Sequence, residues 1–195
     1  MDKLFFRLGM LSGPWWVVTL AIFGALYPNY SHLYKAVSEL GAFGAPHALA
    51  MNVLCLFLTG LFVILSGVGF RNFLLKQQYS TSAAWWVVIL GVMLAGASVP
   101  ADMDLRFASP WTVLHGIFVL LGVVPFFVAS WKTHRALRDL NIQSRVVSHF
   151  PVLIIPVFLL HGLLDQGGLV QRLTILIVLT WVGLLSRHVS KAKCT

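Results

Sequence analysis

Four histidines and four carboxylates gather on one side of the chain's apolar segments. They are His32, His47, His115 and His161 with Glu39, Asp102, Asp104 and Asp165. Neutral imidazole and carboxylate are ordinary zinc ligands, and a catalytic zinc keeps three protein ligands and one open position for water. His115, His161 and Asp165 would supply that set, with Asp102 as an alternative third ligand or a general base. His47, Ser38 and Glu39 would then carry protons or orient a substrate, and His32, Asp104 and Arg172 would contact it. Zinc is the cofactor this set implies. A pair of imidazoles on adjacent helices would alternatively hold a haem axially. Without metal, the same groups would bind an anionic or amphiphilic ligand, helped by Arg172. The spacing is not that of a zinc protease helix, since His-Glu-x-x-His is absent and only His161-x-x-x-Asp165 is present.

These residues need elements that bring them to one depth. The chain has 195 residues, 58% hydrophobic and 10% charged, with a mean hydropathy of +0.86. A soluble domain carries roughly 25% charged residues, so soluble globular and disordered classes are excluded. Apolar runs at about 11–27, 47–70, 83–99, 111–131, 149–164 and 169–187 are long enough for spanning helices of about 20 residues. They are continuous, unlike the alternating ten-residue segments of membrane strands. The reading is an all-α polytopic membrane protein, one domain over 1–195, with six transmembrane helices in three hairpins. His115 then lies five residues past Pro110, about 7 Å below the end of its helix. His161 lies one turn before Asp165, at a similar depth.

Charge sets the expected orientation. Lys3, Arg7, Arg71, Lys76, Lys132, Arg135, Arg138, Arg145, Arg187, Lys191 and Lys193 share one side, against Lys35, Arg106 and Arg172 on the other. Basic residues near span ends favour the cytoplasm, which places both termini inside and the His/Asp set outside, in a multi-pass protein of the cell (inner or plasma) membrane. The formal net charge of +8 thus reflects topology and is no evidence for nucleic acid. The partners expected are membrane lipid and, left open, a homo-oligomer.

Other features are local. Lys3 and Arg7 before an apolar stretch resemble a signal peptide, but Pro14 and the even span count favour a retained first helix. Cys194 is penultimate and not a lipidation box, and Cys55 within a span has no disulfide partner. In the 28–46 loop, Ser31 can cap and Gly41 can end a short helix striped by Leu33, Tyr34, Val37 and Leu40. Trp15-Trp16-Val17-Val18 and Trp85-Trp86-Val87-Val88 are alike, as interfacial aromatic belts or as the trace of a repeat. The cytoplasmic halves of the spans carry no ionisable relay, only isolated groups such as Thr59, Ser66, Ser130 and Thr180, which argues against an ion-coupled transporter. No glycine cluster precedes Lys-Ser or Lys-Thr as in a nucleotide-phosphate loop.

Four motifs occur in order: Tyr27-Pro28-Asn29-Tyr30-Ser31-His32 with Ser38-Glu39-Leu40-Gly41 and Ala45-Pro46; Pro100-Ala101-Asp102; Leu114-His115-Gly116; and Gly168-Leu169-Val170-Gln171-Arg172-Leu173. Together they resemble domain of unknown function family 998, six-helix integral membrane proteins of bacterial and archaeal type. The resemblance implies the fold and no reaction. A more distant likeness of sites is to the alkaline ceramidases and adiponectin-receptor proteins, seven-helix zinc hydrolases. Ser38, Asp102, His115 and His161 are the same residue kinds at one depth, although their paired His-x-x-x-His is missing.

Two functional readings follow. One is a metal-dependent hydrolase open to the outer leaflet, acting on a lipid-like amide or ester. The other is a non-catalytic lipid-binding or assembly protein, in which Glu39, Asp102 and Asp104 meet Arg106 and Arg172 in ion pairs.

Overall fold

A computed structural model describes residues 2–103, 108–142, 144–161 and 167–192. It is all helical, with six rods: α1 (Asp2–Leu26), α2 (Ala48–Lys76), α3 (Ser82–Gly96), α4 (Pro110–Asp139), α5 (145–161) and α6 (Gly167–Lys191). α1, α2, α4 and α6 are long and apolar enough to cross a membrane. The other two are shorter. α3 has 15 residues, about 22 Å of helix against the roughly 30 Å of a hydrocarbon core. The six expected spans thus divide into four of full length and two shorter apolar helices.

Neighbours run in the order α4, α3, α2, α1, α6, α5. The arc closes at the end that holds both termini. There the second half of α4 meets the start of α5, and Phe126 meets Trp181 of α6 edge-on at 5.6 Å. Hydrogen bonds between His134 Nδ1 and Ser148 Oγ (2.7 Å) and between His188 Nε2 and the Ile142 carbonyl (2.7 Å) tie the same end. At the opposite end, residues 27–47 lie across the helices as a cap.

Three of the rods are irregular, each for a local reason. α2 contains a π-helical stretch at Met51–Phe57. There the Leu58 N–H reaches the Val53 carbonyl, which frees the Leu54 carbonyl, and the Trp15 indole N–H occupies it at 2.7 Å. In α5, Pro151 lacks the N–H that would bond Val147, and the Trp181 indole N–H fills that carbonyl at 3.0 Å. α4 breaks at Gly122, between Pro110–Leu121 and Val123–Asp139. Pro125 leaves the Leu121 carbonyl without its i+4 donor, a standard cause of such a break. Backbone polar groups cannot go unpaired in hydrocarbon, and two tryptophans repair two of these defects.

The cap is wound differently from the sequence expectation. The helical turn is a 3₁₀ segment at Val37–Gly41 that starts after Ala36 rather than at Ser31. Glu39 Oε1 accepts from the Ala36 N–H at 2.8 Å, so the carboxylate caps its own turn. Gly41 does end it, and the Asn52 side-chain amide donates to the Gly41 carbonyl at 2.8 Å. A second correction concerns Trp16. It is no interfacial belt residue: it sits about midway along α1 and is 2% exposed, whereas Trp85 is 49% exposed.

Candidate functional site

The residues of the cap are held by α6. Arg172, in the first turns of α6 and 7% exposed, donates through Nη1 to the carbonyls of Lys35 (2.8 Å) and Gly168 (2.7 Å). Its Nη2 donates to the Tyr30 hydroxyl, which donates in turn to the Ala36 carbonyl at 2.7 Å. Gln171 beside it accepts the Val37 N–H through Oε1 at 2.7 Å, and the Leu169 N–H bonds the Leu33 carbonyl at 2.9 Å. A side chain at Gly168 would collide with the Lys35 and Leu33 carbonyls, so only glycine lets the cap backbone approach so closely. Burial raises the Tyr30 hydroxyl above its ordinary value. His32 packs edge-on to the Tyr30 ring at 5.1 Å, and its imidazole is lowered by burial and then by the nearby Arg172 charge.

Under this cap lies a cavity of about 550 Å³, within the size range of small-molecule sites. Ser38, Glu39, Gln171 and His115 are the polar residues lining it toward the cap, and Leu90, Met93, Leu94, Phe118, Phe126 and Val178 are among its apolar walls, with Thr174 between them. No Lys or Arg is among the described residues that line it. The Pro110–Leu121 half of α4 forms one wall and has no buried residue. It packs on α3 and, among the described residues, makes at most marginal contact with α5 or α6. Leu120 on this wall is 75% exposed. Among the described residues, the cavity therefore opens sideways between α4 and the α5–α6 pair, at the level of the apolar surface.

Ser38, Glu39 and His115 come together at this cavity. His115 Nδ1 bonds the Val99 carbonyl at 2.9 Å, which makes Nδ1 the protonated nitrogen and leaves Nε2 as an acceptor. Asp102 is elsewhere, at the foot of α4. Its Oδ2 accepts the Ser109 N–H (2.7 Å) and the Thr112 hydroxyl (2.8 Å), while its own N–H donates to Thr112 Oγ1 (2.6 Å). His47 is exposed at the start of α2, in a left-handed conformation with φ of 58°. Arg172 stands behind the lining and meets carbonyls and a phenol, with no carboxylate bonded to it among the described residues. Asp104, Arg106, Asp165 and the His161 side chain lie outside the described residues. Among the described residues, no three His, Cys, Asp or Glu side chains form a group that could hold a metal ion.

Asp102 makes the acid limb of stability testable. Hydrogen bonds from Ser109 and then Thr112 hold its carboxyl below the usual range. A carboxylate lowered by folding stabilises fully above its unfolded pKa, and that contribution is lost as pH falls through the folded value. Asp102→Asn should therefore lower the melting temperature at neutral pH and flatten its decline toward about pH 3. Melting curves of both proteins across that range check this, and parallel curves would refute it.

Four polar cavity residues escape sequence reasoning: Gln171 stands out only within a motif, Thr59 reads as an isolated hydroxyl, Trp16 as an interfacial anchor, and Thr174 carries no signal. The chain belongs to the family described as Protein of unknown function (DUF998), whose model matches residues 10–188. No curated protein and no solved structure matches it.

Proposed function

We propose that this membrane protein binds a single-chain amphiphile in the cavity, with the polar head beneath the cap and the chain along α3, α4 and α6. The observation that carries the reading is the cavity's division into a polar cap end and apolar walls, together with its sideways opening. A ligand entering there comes from the bilayer. With the basic terminal end on the cytoplasmic side, all six helices cross and the source is the outer leaflet.

Physical chemistry narrows the head group. A lipid chain in the bilayer is already in hydrocarbon, so moving it into the cavity brings little hydrophobic gain. Retention rests on shape and on hydrogen bonds to the head. The groups with free capacity are the Gln171 amide N–H, the second Glu39 oxygen, His115 Nε2 and the Ser38 hydroxyl. They suit hydroxyl, ester or amide functions, and the described lining offers no Lys or Arg to hold a phosphate.

The test fills the cavity. Ala97 lines it, and Ala97→Phe should cut retention of an added monoacylglycerol at least tenfold by native mass spectrometry. Saturating wild type at a hundredfold excess over Kd should stabilise it by about 2.7 kcal/mol. Equal retention by Ala97→Phe and wild type would sink the reading.

A further inference from the structure

The buried hydroxyls and indoles within the described helices follow a rule that three residues, Trp16, Thr59 and Thr133, break. Ser12, Thr19, Ser130, Thr174 and Ser186 each bond a carbonyl three or four residues back, as hydroxyls in apolar helices do. Trp15 and Trp181 donate to carbonyls that the π stretch and Pro151 release. Five buried side-chain polar atoms among the described residues have no partner: Trp16 Nε1, Thr59 Oγ1, Arg71 Nε, Thr133 Oγ1 and Arg172 Nε. Of these five residues only Trp16 and Thr59 line the cavity, and each is 2% exposed. Both donor atoms are enclosed by the cavity wall, and an unmade hydrogen bond this deep is expensive, so a side-chain turn that presents either donor to an acceptor in the cavity relieves that cost.

Their depth is informative. Trp16 lies ten residues before the end of α1 and Thr59 eleven after the start of α2, about 15–16 Å below the cap end. His115 and Thr174 are about 7 and 10 Å below it on the same scale. We infer that Trp16 and Thr59 form a second polar subsite, which receives the carbonyl oxygen of an acyl ester or amide whose hydroxylated head sits beneath the cap. The inference rests on the amphiphile reading above and assigns the ligand's chemical class: a single acyl chain joined to a small uncharged head through a carbonyl.

The experiment compares two probes that differ at one atom. A monoacylglycerol carries the ester carbonyl, and the matching alkylglycerol ether lacks it. Binding of each to the purified full-length protein in mild detergent is measured by titration and native mass spectrometry. Wild type should prefer the ester by about tenfold, the effect of one buried hydrogen bond that is otherwise left unmade. Thr59→Val, alike in shape and without the hydroxyl, and Trp16→Phe should each reduce that preference toward unity. Thr133→Val is the control, because Thr133 has the same orphan hydroxyl away from the cavity, and it should keep the full preference. Lipid-free Thr59→Val should melt no lower than wild type, since an apolar isostere relieves an unsatisfied group, so lost binding cannot be blamed on lost folding. Equal binding of ester and ether by wild type, or a preference untouched by Thr59→Val and Trp16→Phe, would overturn the subsite while leaving cavity binding intact. Failure of wild type to retain either probe would overturn both readings.

Discussion

Replacing Arg172 by methionine should lower the melting temperature of the detergent-purified protein by roughly 6–12 °C, the shift expected for a loss of about 3 kcal/mol in a chain of this size. Methionine keeps much of the aliphatic stem and removes the three donated hydrogen bonds. The Lys35 carbonyl and the Tyr30 hydroxyl then face an apolar side chain, while the Gly168 carbonyl keeps its bond within α6, and each buried group left unmade costs about 1–3 kcal/mol. Arg172→Lys should recover only part of the loss, because an ammonium is a point donor and cannot span three acceptors as a planar guanidinium does. Tyr30→Phe, which removes one acceptor and its onward bond to Ala36, should fall between wild type and Arg172→Met. A shift for Arg172→Met within a degree or two of zero would mean that the cap is held by its apolar contacts alone. Differential scanning fluorimetry on the four proteins decides the order.

This prediction separates two roles that sequence reasoning merged. Arg172, Asp102 and His115 looked like members of one polar set because all three fall near the same ends of apolar segments. Asp102 instead closes the loop onto α4 through Ser109 and Thr112, and Arg172 fastens the cap from behind the cavity. His115, Ser38 and Glu39 reach the lining. Depth along a helix follows from residue spacing at 1.5 Å per residue. Which way a side chain faces around the helix depends on neighbours far away in the chain, and spacing from a helix end does not encode them.

The same limit explains what was legible of the fold. Continuous apolar runs fixed six helices and their order, and Gly41 marked the end of the cap turn. The π stretch in α2 was not visible in Met51–Phe57, because the feature that stabilises it, the Trp15 indole on the Leu54 carbonyl, belongs to another helix. Trp15-Trp16 read as a belt because interfacial tryptophans are common. In the structure one repairs a defect in α2 and the other is a core residue with a free donor. Thr59 carried no sequence signal at all, since one hydroxyl among apolar residues ordinarily bonds its own helix.

Alanine at Gly60 or Gly91 should destabilise by roughly 3 kcal/mol each, while alanine at Gly116 should stabilise by about 0.5–1 kcal/mol. All three are helical glycines in apolar surroundings, and intrinsic helix propensity favours alanine at every one. The difference lies in what a methyl group would meet. At Gly60 a Cβ would stand 2.7 Å from the Ala95 Cα, and at Gly91 it would stand 2.6 Å from the Ile64 backbone nitrogen. These are backbone contacts that no rotamer change relieves, so α2 and α3 would have to separate. Close approach through small residues is how helices associate where lipid removes the hydrophobic drive, and α3, the shorter helix, depends on this contact for its place. At Gly116 nothing lies within 4 Å, so the added methyl only restricts the unfolded backbone. Because Gly60 and Gly91 are mutual neighbours, with a Cβ on Gly91 2.9 Å from the Gly60 carbonyl, the double variant should lose less than the sum of the two single losses. Additive losses would show that the hairpin yields at two independent points. A gain at Gly60 would show that the α2–α3 contact is looser than the structure describes.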